Sequence, residues 1–256
     1  MQEFSYGELC AIFYDATKKF APQAELDFYT NFMQPNGKIL EAMAGSGRLQ
    51  IPLMQLGYSV DGVDSSAVML RRCLERAAKL GLTPNVYQQL LQELDLPFQY
   101  QTAVIAVGSF QLITERKAAL KALQKIRAHL LEDGNLLFSI FDPTLNFEEW
   151  SRREVRLGNN NTIKLTVHRE INKNARLASA YCNYELLAAR TCVQREEELI
   201  EVTWYSMAEL QDLLDTAGFR LVQVYDYFLP NEDGSKVVHA KPKNILLKKW
   251  SKSPNK

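Results

Sequence analysis

The sequence predicts a three-layer α/β fold, in which a mostly parallel sheet lies between helices and carries a small antiparallel β insertion. Up to about residue 142, short apolar strands alternate with helical patterns of about ten to fifteen residues, which is typical of βαβ units. After Pro143 the pattern changes to strand-like alternation over 150–203, broken by turn-forming clusters at 158–161 and 172–174. The helical pattern then resumes at Ser206.

The elements of the main domain are bounded by residues that begin or end helices. Pro22 opens the first helix and Ser206 caps the last, while Gly57, Gly81 and Gly218 each end one. Helices are predicted over 22–33, 45–56, 64–81, 115–131 and 206–218. Strands are predicted over 38–41, 59–63, 86–90, 102–107, 136–141, 220–227 and 243–249.

These elements imply a division of the chain into two parts. We expect a main α/β domain formed by residues 1–146 and 204–256, whose sheet is parallel except for an antiparallel final strand. Residues 147–203 are expected to form an antiparallel sheet of three or four strands, a lid over the active site.

Composition and charge exclude several classes of protein. The 256 residues include thirty basic and thirty acidic side chains, so no net field attracts the chain to nucleic acid or to an anionic membrane. No window approaches the eighteen or more apolar residues of a membrane span. The four cysteines, Cys10, Cys73, Cys182 and Cys192, lack the spacing of a zinc site or a disulfide framework, so we expect no metal and a reducing, cytoplasmic location.

The most informative segment is the strand at 38–41, which runs into a turn containing Gly45 and Gly47 and then into a helix. A helix that begins at the carboxyl end of a strand presents free backbone N–H groups, and glycine lets a ligand approach the backbone closely. Asp64 closes the next strand, where a carboxylate can accept hydrogen bonds from both hydroxyls of a ribose. The segment predicts a nucleoside-containing ligand.

The residues around this turn favour one such ligand over its competitors. An NAD-dependent oxidoreductase needs a third glycine, where Gln50 stands, and Glu41 would face its pyrophosphate with a negative charge. A phosphate-binding P-loop needs a Gly-Lys-Ser/Thr sequence that does not follow the glycines. S-adenosylmethionine instead offers an ammonium and a sulfonium. The carboxylate is therefore compatible with S-adenosylmethionine, and the oxidoreductase remains the less favoured alternative.

Residues 39–48 resemble motif I of class I S-adenosylmethionine-dependent methyltransferases, and 60–70 resemble the acidic-loop motif that follows it. Three later segments resemble the family's fourth strand, the turn before its fifth strand and its late helix, at 104–110, 130–138 and 204–219. The resemblance covers roughly 10–142 and 203–250 and implies a Rossmann-like fold. The β insertion, with residues 13–20 upstream, is similar to small-molecule N-methyltransferases that act on amino sugars or glycine-like amines.

The resemblance also implies which residues bind the cofactor. Glu41 and the carbonyl of Gly108 would lie near the methionine ammonium, Gly45 and Gly47 would border the methionine portion, and Asp64 would hold the ribose. The full expected set is Tyr14, Glu41, Ala42, Gly45, Gly47, Asp64, Ser65, Met69, Gln89, Leu91 and Gly108.

The remaining roles concern the adenine and the cover of the pocket. Met69 and Leu91 would be apolar plates for the adenine, and Gln89 would accept from its amino group in place of the usual acidic residue. Tyr14 would lie in a mobile segment that closes the pocket. Met43, which replaces the first glycine of motif I, is expected to pack under the sheet.

The expected reaction is in-line displacement at the methyl carbon, which needs alignment and exclusion of water more than an acid-base pair. No catalytic residue is predicted, because Tyr14, His168, Tyr181 and Tyr184 form no nucleophile–base–orienter set in the sequence. Arg48 is expected to be solvated or structural rather than a clamp for the methionine carboxylate.

The expected partner is a small-molecule methyl acceptor, most simply an amine, bound by a monomer or homodimer. Neither nucleic acid nor membrane is expected as a partner, since Gly108-Ser-Phe110 replaces the Asn-Pro-Pro-Tyr of nucleic-acid base methylation. A catalytically degenerate binding protein with this fold remains an alternative, because motif I is altered.

Overall fold

The computed structural model describes residues 6–145, 147–158, 160–228 and 234–243. Its helices are α1 (Glu8–Thr17), α2 (Gln23–Thr30), α3 (Gln50–Gln55), α4 (Ala67–Ala78), α5 (Arg116–His129) and α6 (Met207–Thr216). The strands of the main sheet are β1 (Lys38–Ala42), β2 (Ser59–Asp64), β3 (Asn85–Gln88), β4 (Tyr100–Ile105), β5 (Leu130–Ile140), β10 (Phe219–Asp226) and β11 (Lys236–Pro242). A second sheet contains β6 (Trp150–Arg156), β7 (Asn161–Asn172), β8 (Leu177–Ala188) and β9 (Thr191–Thr203).

The main sheet has the strand order β10-β11-β5-β4-β1-β2-β3. Strands β1 to β5 pair in parallel, whereas β11 is antiparallel to both β5 and β10. The predicted α/β fold, with its antiparallel final strand and added antiparallel sheet, is confirmed. Because β1 lies between β2 and β4, the order reverses at β1, and ligands of open α/β sheets bind at such a reversal.

Apolar side chains cover both faces of the main sheet. All six residues of β4 are buried, as expected of a strand with helices on both faces. On one face Phe110, Leu123 and Phe138 belong to a large apolar cluster, and on the other Tyr29 and Leu53 belong to a second. The carboxyl ends of β1 and β4 are therefore held rigidly where the ligand site was expected.

The second sheet, called here the insertion sheet, packs against α1. Ile163, Leu165 and Val167 alternate along β7 and face Leu9 and Phe13 of α1 in one apolar cluster. Since side chains of a strand alternate between faces, the residues between them lie on the opposite face of the sheet. The insertion thus contacts the main domain through a helix that sequence patterns did not delimit.

Two predicted elements need correction. The final strand was expected at 243–249 but lies at Lys236–Pro242, and 244–249 fall outside the described residues. His239 interrupts the apolar pattern of this strand, so the pattern did not predict it. In the structure the His239 side chain is buried, and its Nε2 lies 2.9 Å from Oδ1 of Asn135. The helix expected from Gly45 begins only at Gln50, because Met43, Gly45 and Gly47 have positive φ, and non-helical backbone precedes it.

Within the described residues, no helix is long and apolar enough to cross a membrane.

Candidate active site

A cavity of about 920 Å³ opens at the carboxyl ends of β1, β2 and β4. This volume lies near the upper end of the roughly 300–1,000 Å³ range of ligand pockets, so it can hold a cofactor together with a small second molecule. Nine of the expected cofactor-binding residues line it: Tyr14, Glu41, Gly45, Asp64, Ser65, Met69, Gln89, Leu91 and Gly108.

Ala42 and Gly47, the other two expected residues, do not line the cavity. Ala42 points into the core, where it is fully buried. Gly47 has a φ of +75°, and a Cβ there would lie 2.6 Å from the Sγ of Cys73 and 2.9 Å from the Cδ1 of Ile51. Gly47 therefore permits close packing of the turn against α3 and α4 rather than close approach of a ligand.

Met43 lines the cavity instead of packing under the sheet. Its φ of +60° places it in the left-handed region, which is uncommon outside glycine. That backbone turns the chain at the end of β1 and directs the side chain toward the cavity wall and the adjacent core cluster. The sequence signal was the replaced glycine itself, which marks a position that needs positive φ.

Glu41 is the least satisfied polar group of the cavity. It is only 3% exposed, and its Oε2 has no hydrogen-bond partner within the part of the chain that the structure describes. Burial raises its pKa to about 8, against the opposing effect of the Arg48 charge and a backbone hydrogen bond from Gln50. An unpaired buried carboxylate is costly, so this position fits a ligand that brings a cation.

Asp64 organises the turn between β1 and β2. Its Oδ2 accepts from the N–H of Gly45 at 2.8 Å, and its Oδ1 accepts from the N–H of Ser66 at 2.8 Å. Burial raises the pKa of Asp64, and these backbone bonds oppose that rise. The N-cap of α4 is Ser66, whose hydroxyl accepts from Met69 N–H at 3.3 Å. Asp64 is therefore not the cap of this helix.

Gln89 and Gly108 line the cavity with polar groups that already have partners. The side-chain amide of Gln89 donates to the carbonyl of Asp95 at 2.9 Å and accepts from its N–H at 2.8 Å. The carbonyl of Gly108 accepts from the N–H of Gln111 at 3.0 Å. Each oxygen is engaged by one donor and retains one lone pair that could accept from a ligand.

Arg48 also lines the cavity, but Glu25 holds its guanidinium. Its Nη1 donates to Oε1 of Glu25 at 2.9 Å, and its Nη2 bonds the other oxygen. Burial lowers the pKa of Arg48, but the bidentate pair with the fully buried Glu25 outweighs this effect and raises it. Two-point geometry keeps the arginine fixed in the wall of the cavity.

Helix α1 covers the cavity and is held from both sides. Its N-cap residue, Gly7, offers no side chain, and Glu196 of β9 accepts from the N–H of Leu9 at 3.0 Å and of Cys10 at 2.8 Å. On the opposite side Asp15 bonds Arg72 at 2.6 Å and Arg76 at 3.0 Å. The insertion sheet therefore positions the helix that carries Tyr14.

Of the four groups considered as possible bases, only Tyr14 lies in the cavity. Tyr184 is buried behind α1, where its hydroxyl bonds Cys10 Sγ at 3.2 Å, and His168 and Tyr181 lie on the far face of the insertion sheet. Burial raises the pKa of Tyr14 to about 12, so it stays protonated at neutral pH. Among the described residues that line the cavity, none is a histidine.

Several lining residues were missed by the sequence prediction. They include Tyr6, Phe141, Glu201 and Val202, which lie outside the segments that resemble the family's motifs. No local pattern distinguishes these positions, because the fold alone brings the ends of β5 and β9 to the cavity. The described residues contain no group of three or more His, Cys, Asp or Glu side chains that could hold a metal ion.

Comparison with known proteins agrees with the fold and the motif. Residues 39–134 match a family model described as a methyltransferase domain. Residues 39–134 are therefore similar to a methyltransferase domain, and the chain has the fold of S-adenosylmethionine-dependent methyltransferases.

Among curated proteins, a provisionally named methyltransferase of Geobacillus sp. (strain WCH70) is 31% identical over 127 residues, which is 50% of this chain and 50% of that protein. The provisionally named methyltransferase YqeM of Bacillus subtilis (strain 168) is 23% identical over 128 residues, 50% of this chain and 52% of that protein. The match thus spans about half the length of these relatives.

Solved structures match nearly the whole chain. An S-adenosylmethionine-dependent methyltransferase from Clostridium acetobutylicum ATCC 824 has a TM-score of 0.75 and 16% identity, covering 91% of this chain and 97% of that one. The sugar N-methyltransferase KedS8 from Streptoalloteichus sp ATCC 53650 has a TM-score of 0.76 and 18% identity, covering 95% and 96%. At these identities the likeness shows a shared fold.

Proposed function

We propose that this protein binds S-adenosylmethionine in the cavity and transfers its methyl group to a small soluble amine. One observation carries the proposal: among the described residues, the buried Oε2 of Glu41 has no hydrogen-bond partner. This oxygen lies at the end of β1, beside the turn that Asp64 closes, where the ammonium of a bound amino acid would neutralise it. A dinucleotide would bring phosphate to the same carboxylate, which disfavours the oxidoreductase alternative.

The lining residues fit the other parts of this cofactor. Asp64 would hold the ribose hydroxyls, since its carboxylate is already oriented by two backbone bonds and retains further lone pairs. Met69 and Leu91 supply apolar surface for the adenine. Gln89, which also bonds Asp95, would accept from the adenine amino group through its remaining lone pair.

S-adenosylmethionine supplies a methyl group on a sulfonium, which is an excellent leaving group, so the chain has to provide alignment and exclusion of water. Helix α1 closes the cavity from above, held by Glu196 on one side and Asp15 on the other. Tyr14, protonated at neutral pH, can donate a hydrogen bond but cannot remove a proton there. The acceptor nitrogen would lose its proton to water, and positioning would supply most of the rate enhancement.

An amine is the acceptor that the cavity favours. Glu115 and Glu201 line the cavity with carboxylates that can attract a cation. One structural neighbour is named as a sugar N-methyltransferase and another as an amino pentose methyltransferase. We expect the protein to act in the cytoplasm, because its cysteines, which the structure shows as free thiols, suit a reducing compartment. Nucleic acid and membrane are not expected partners, and the protein would act as a monomer or homodimer.

Isothermal titration with S-adenosylmethionine and S-adenosylhomocysteine tests the proposal, followed by a screen of small amines for methyl transfer. Because binding requires ionised Glu41, affinity should fall as the pH drops below about 8, by up to about tenfold per pH unit. Glu41→Gln should bind weakly and lose this dependence. Failure of both ligands to bind would contradict the proposal, and binding without transfer to any amine would favour a degenerate binding protein.

A further inference from the structure

One cross-strand row on the outer face of the insertion sheet, the face turned away from α1, consists of large side chains. Trp150, His168, Tyr181 and Leu199 are direct neighbours in register on β6, β7, β8 and β9; we call them the aromatic row. The Trp150 and His168 rings stack at 4.3 Å between centroids, and the His168 and Tyr181 rings stack at 5.8 Å. The row lines a groove of about 480 Å³.

These side chains are too exposed to be a core. Trp150 is 57% exposed and Tyr181 is 46% exposed, although the opposite face of the same strands is packed against α1. Contiguous exposed apolar surface of this kind marks a binding surface more often than a bare protein exterior. Trp and Tyr suit such a surface because they combine a large apolar ring with a polar edge.

One residue of the cofactor cavity, Glu201, lies near the groove along β9. Glu201 lines the cavity and lies two residues beyond Leu199 on β9, on the same face, since its Oε1 accepts from Ser179 Oγ at 2.9 Å. Two residues along a strand correspond to about 6.6–6.8 Å. A molecule with one end beside Glu201 therefore reaches the aromatic row within a few bonds.

The charges around the row favour a cationic occupant. Four carboxylates surround it: Glu149 lies 3.7 Å from His168, Glu170 accepts from Tyr181, Glu197 accepts from Asn183, and Glu201 lies at the cavity end. On β6, the basic side chain of this face is Arg152, which lies in the cross-strand row next to the aromatic row. Aromatic rings beside carboxylates bind ammonium groups and polar rings well.

We infer that the aromatic row is the distal part of the acceptor site, and that the acceptor is an elongated cationic amine with a ring at its far end. The amine would lie beside Glu201 at the cavity, and the ring would contact the row at Tyr181, behind which the His168 and Trp150 rings stack. This inference rests on the proposed function and names its substrate class: acceptors longer than a simple amine, selected by a ring that the cofactor cavity does not contact.

The test uses three probes that differ in one feature each, with S-adenosylhomocysteine present so that no turnover occurs. 4-Phenylbutylamine carries both ring and charge, hexylamine lacks the ring, and 4-phenylbutan-1-ol lacks the charge. Ligand-observed NMR should show 4-phenylbutylamine binding about five-fold more tightly than hexylamine, as one aromatic contact allows. The double variant Trp150→Ala/Tyr181→Ala should lose this ring preference, and Glu201→Gln should lose the preference for the amine over the alcohol.

Val193→Ala is the matched control, because Val193 is an exposed apolar residue of β9 at 58% exposure, away from the row. Melting curves check that each variant folds. A ring preference that survives in the double variant would overturn the inference. So would a wild-type dimer in sedimentation velocity that dissociates in the double variant, because the row would then be a contact between two copies. Failure of S-adenosylhomocysteine itself to bind would instead contradict the proposed function.

Discussion

The carboxylate of Asp64 accepts a hydrogen bond from the backbone N–H of Gly45 at 2.8 Å. This bond joins the carboxyl ends of β1 and β2, which are adjacent parallel strands, and holds the turn that faces the cavity. A second bond, from Ser66 N–H, fixes the other oxygen. The carboxylate is thereby oriented before any ligand arrives, and this orientation is the property that a ribose-binding group needs.

Replacement of Asp64 tests this role. Asp64→Ala should weaken binding of S-adenosylhomocysteine by about 1.5–3 kcal/mol, the range for hydrogen bonds to a charged group. Asp64→Asn keeps the shape of the side chain but has a single acceptor oxygen, so its affinity for S-adenosylhomocysteine should lie between those of wild type and Asp64→Ala. Isothermal titration measures all three proteins. Equal affinities would show that Asp64 only shapes the turn.

Glu41 should make the ligand-free protein less stable at alkaline pH. Its pKa rises from 4.5 to about 8 on folding, so the folded state retains a proton that the unfolded chain releases between these values. The contribution of Glu41 to stability is therefore full below about pH 4.5 and is lost as the pH rises through about 8. The free energy of unfolding should therefore fall with pH by at most about 1.4 kcal/mol per pH unit.

Urea unfolding at several pH values between these limits checks this expectation. Glu41→Gln should remove most of the slope, because glutamine does not titrate. Glu75→Gln, which changes an exposed carboxylate on α4, is the control and should leave the slope as in wild type. A wild-type profile that Glu41→Gln does not alter would show that this carboxylate is already ionised when buried.

Gly47 should matter for folding rather than for direct ligand contact. Gly47→Ala places a Cβ 2.6 Å from the Sγ of Cys73 at a φ of +75°. Both the steric overlap and the left-handed backbone conformation therefore destabilise the variant. Gly57 has a φ of +90° with no atom within 4 Å of an added Cβ, so Gly57→Ala bears only the backbone cost of about 1–2 kcal/mol. Differential scanning calorimetry should give Gly47→Ala the lower melting temperature. Equal melting temperatures would mean that Cys73 and Ile51 move aside freely.

Glu196 should hold the first turn of α1 in place. Glu196→Ala removes the acceptor of the Leu9 and Cys10 N–H groups, a loss comparable to removal of an N-cap, about 1 kcal/mol. Hydrogen exchange of these two amides should accelerate about five-fold, while amides of the main sheet stay unchanged. Glu154→Ala, an exposed substitution on β6, is the control. Unchanged exchange at Leu9 and Cys10 would show that packing alone holds α1.

The sequence by itself determined the order of strands and helices from Pro22 to Gly218, the antiparallel character of the insertion and the turn at which the cavity lies. These features follow from local properties: apolar periodicity, the caps of helices, and the glycine and carboxylate that end β1 and β2. Gly45 and Asp64 were identified because their backbone setting is encoded within a few residues of each. The α/β fold required no more than this, whereas the full set of nine expected residues that line the cavity depended also on the resemblance to class I methyltransferases.

Only the tertiary structure decided what each of these residues contacts. Gly47 has the same sequence signal as Gly45, yet α4 packs against it, so close packing rather than ligand access explains it. The lack of a hydrogen-bond partner for Glu41 Oε2 among the described residues depends on which segments meet above the sheet. Helix α1 is held by Glu196, 187 residues away from Leu9. Such contacts are formed between segments distant in the chain, and no local periodicity or spacing carries information about them.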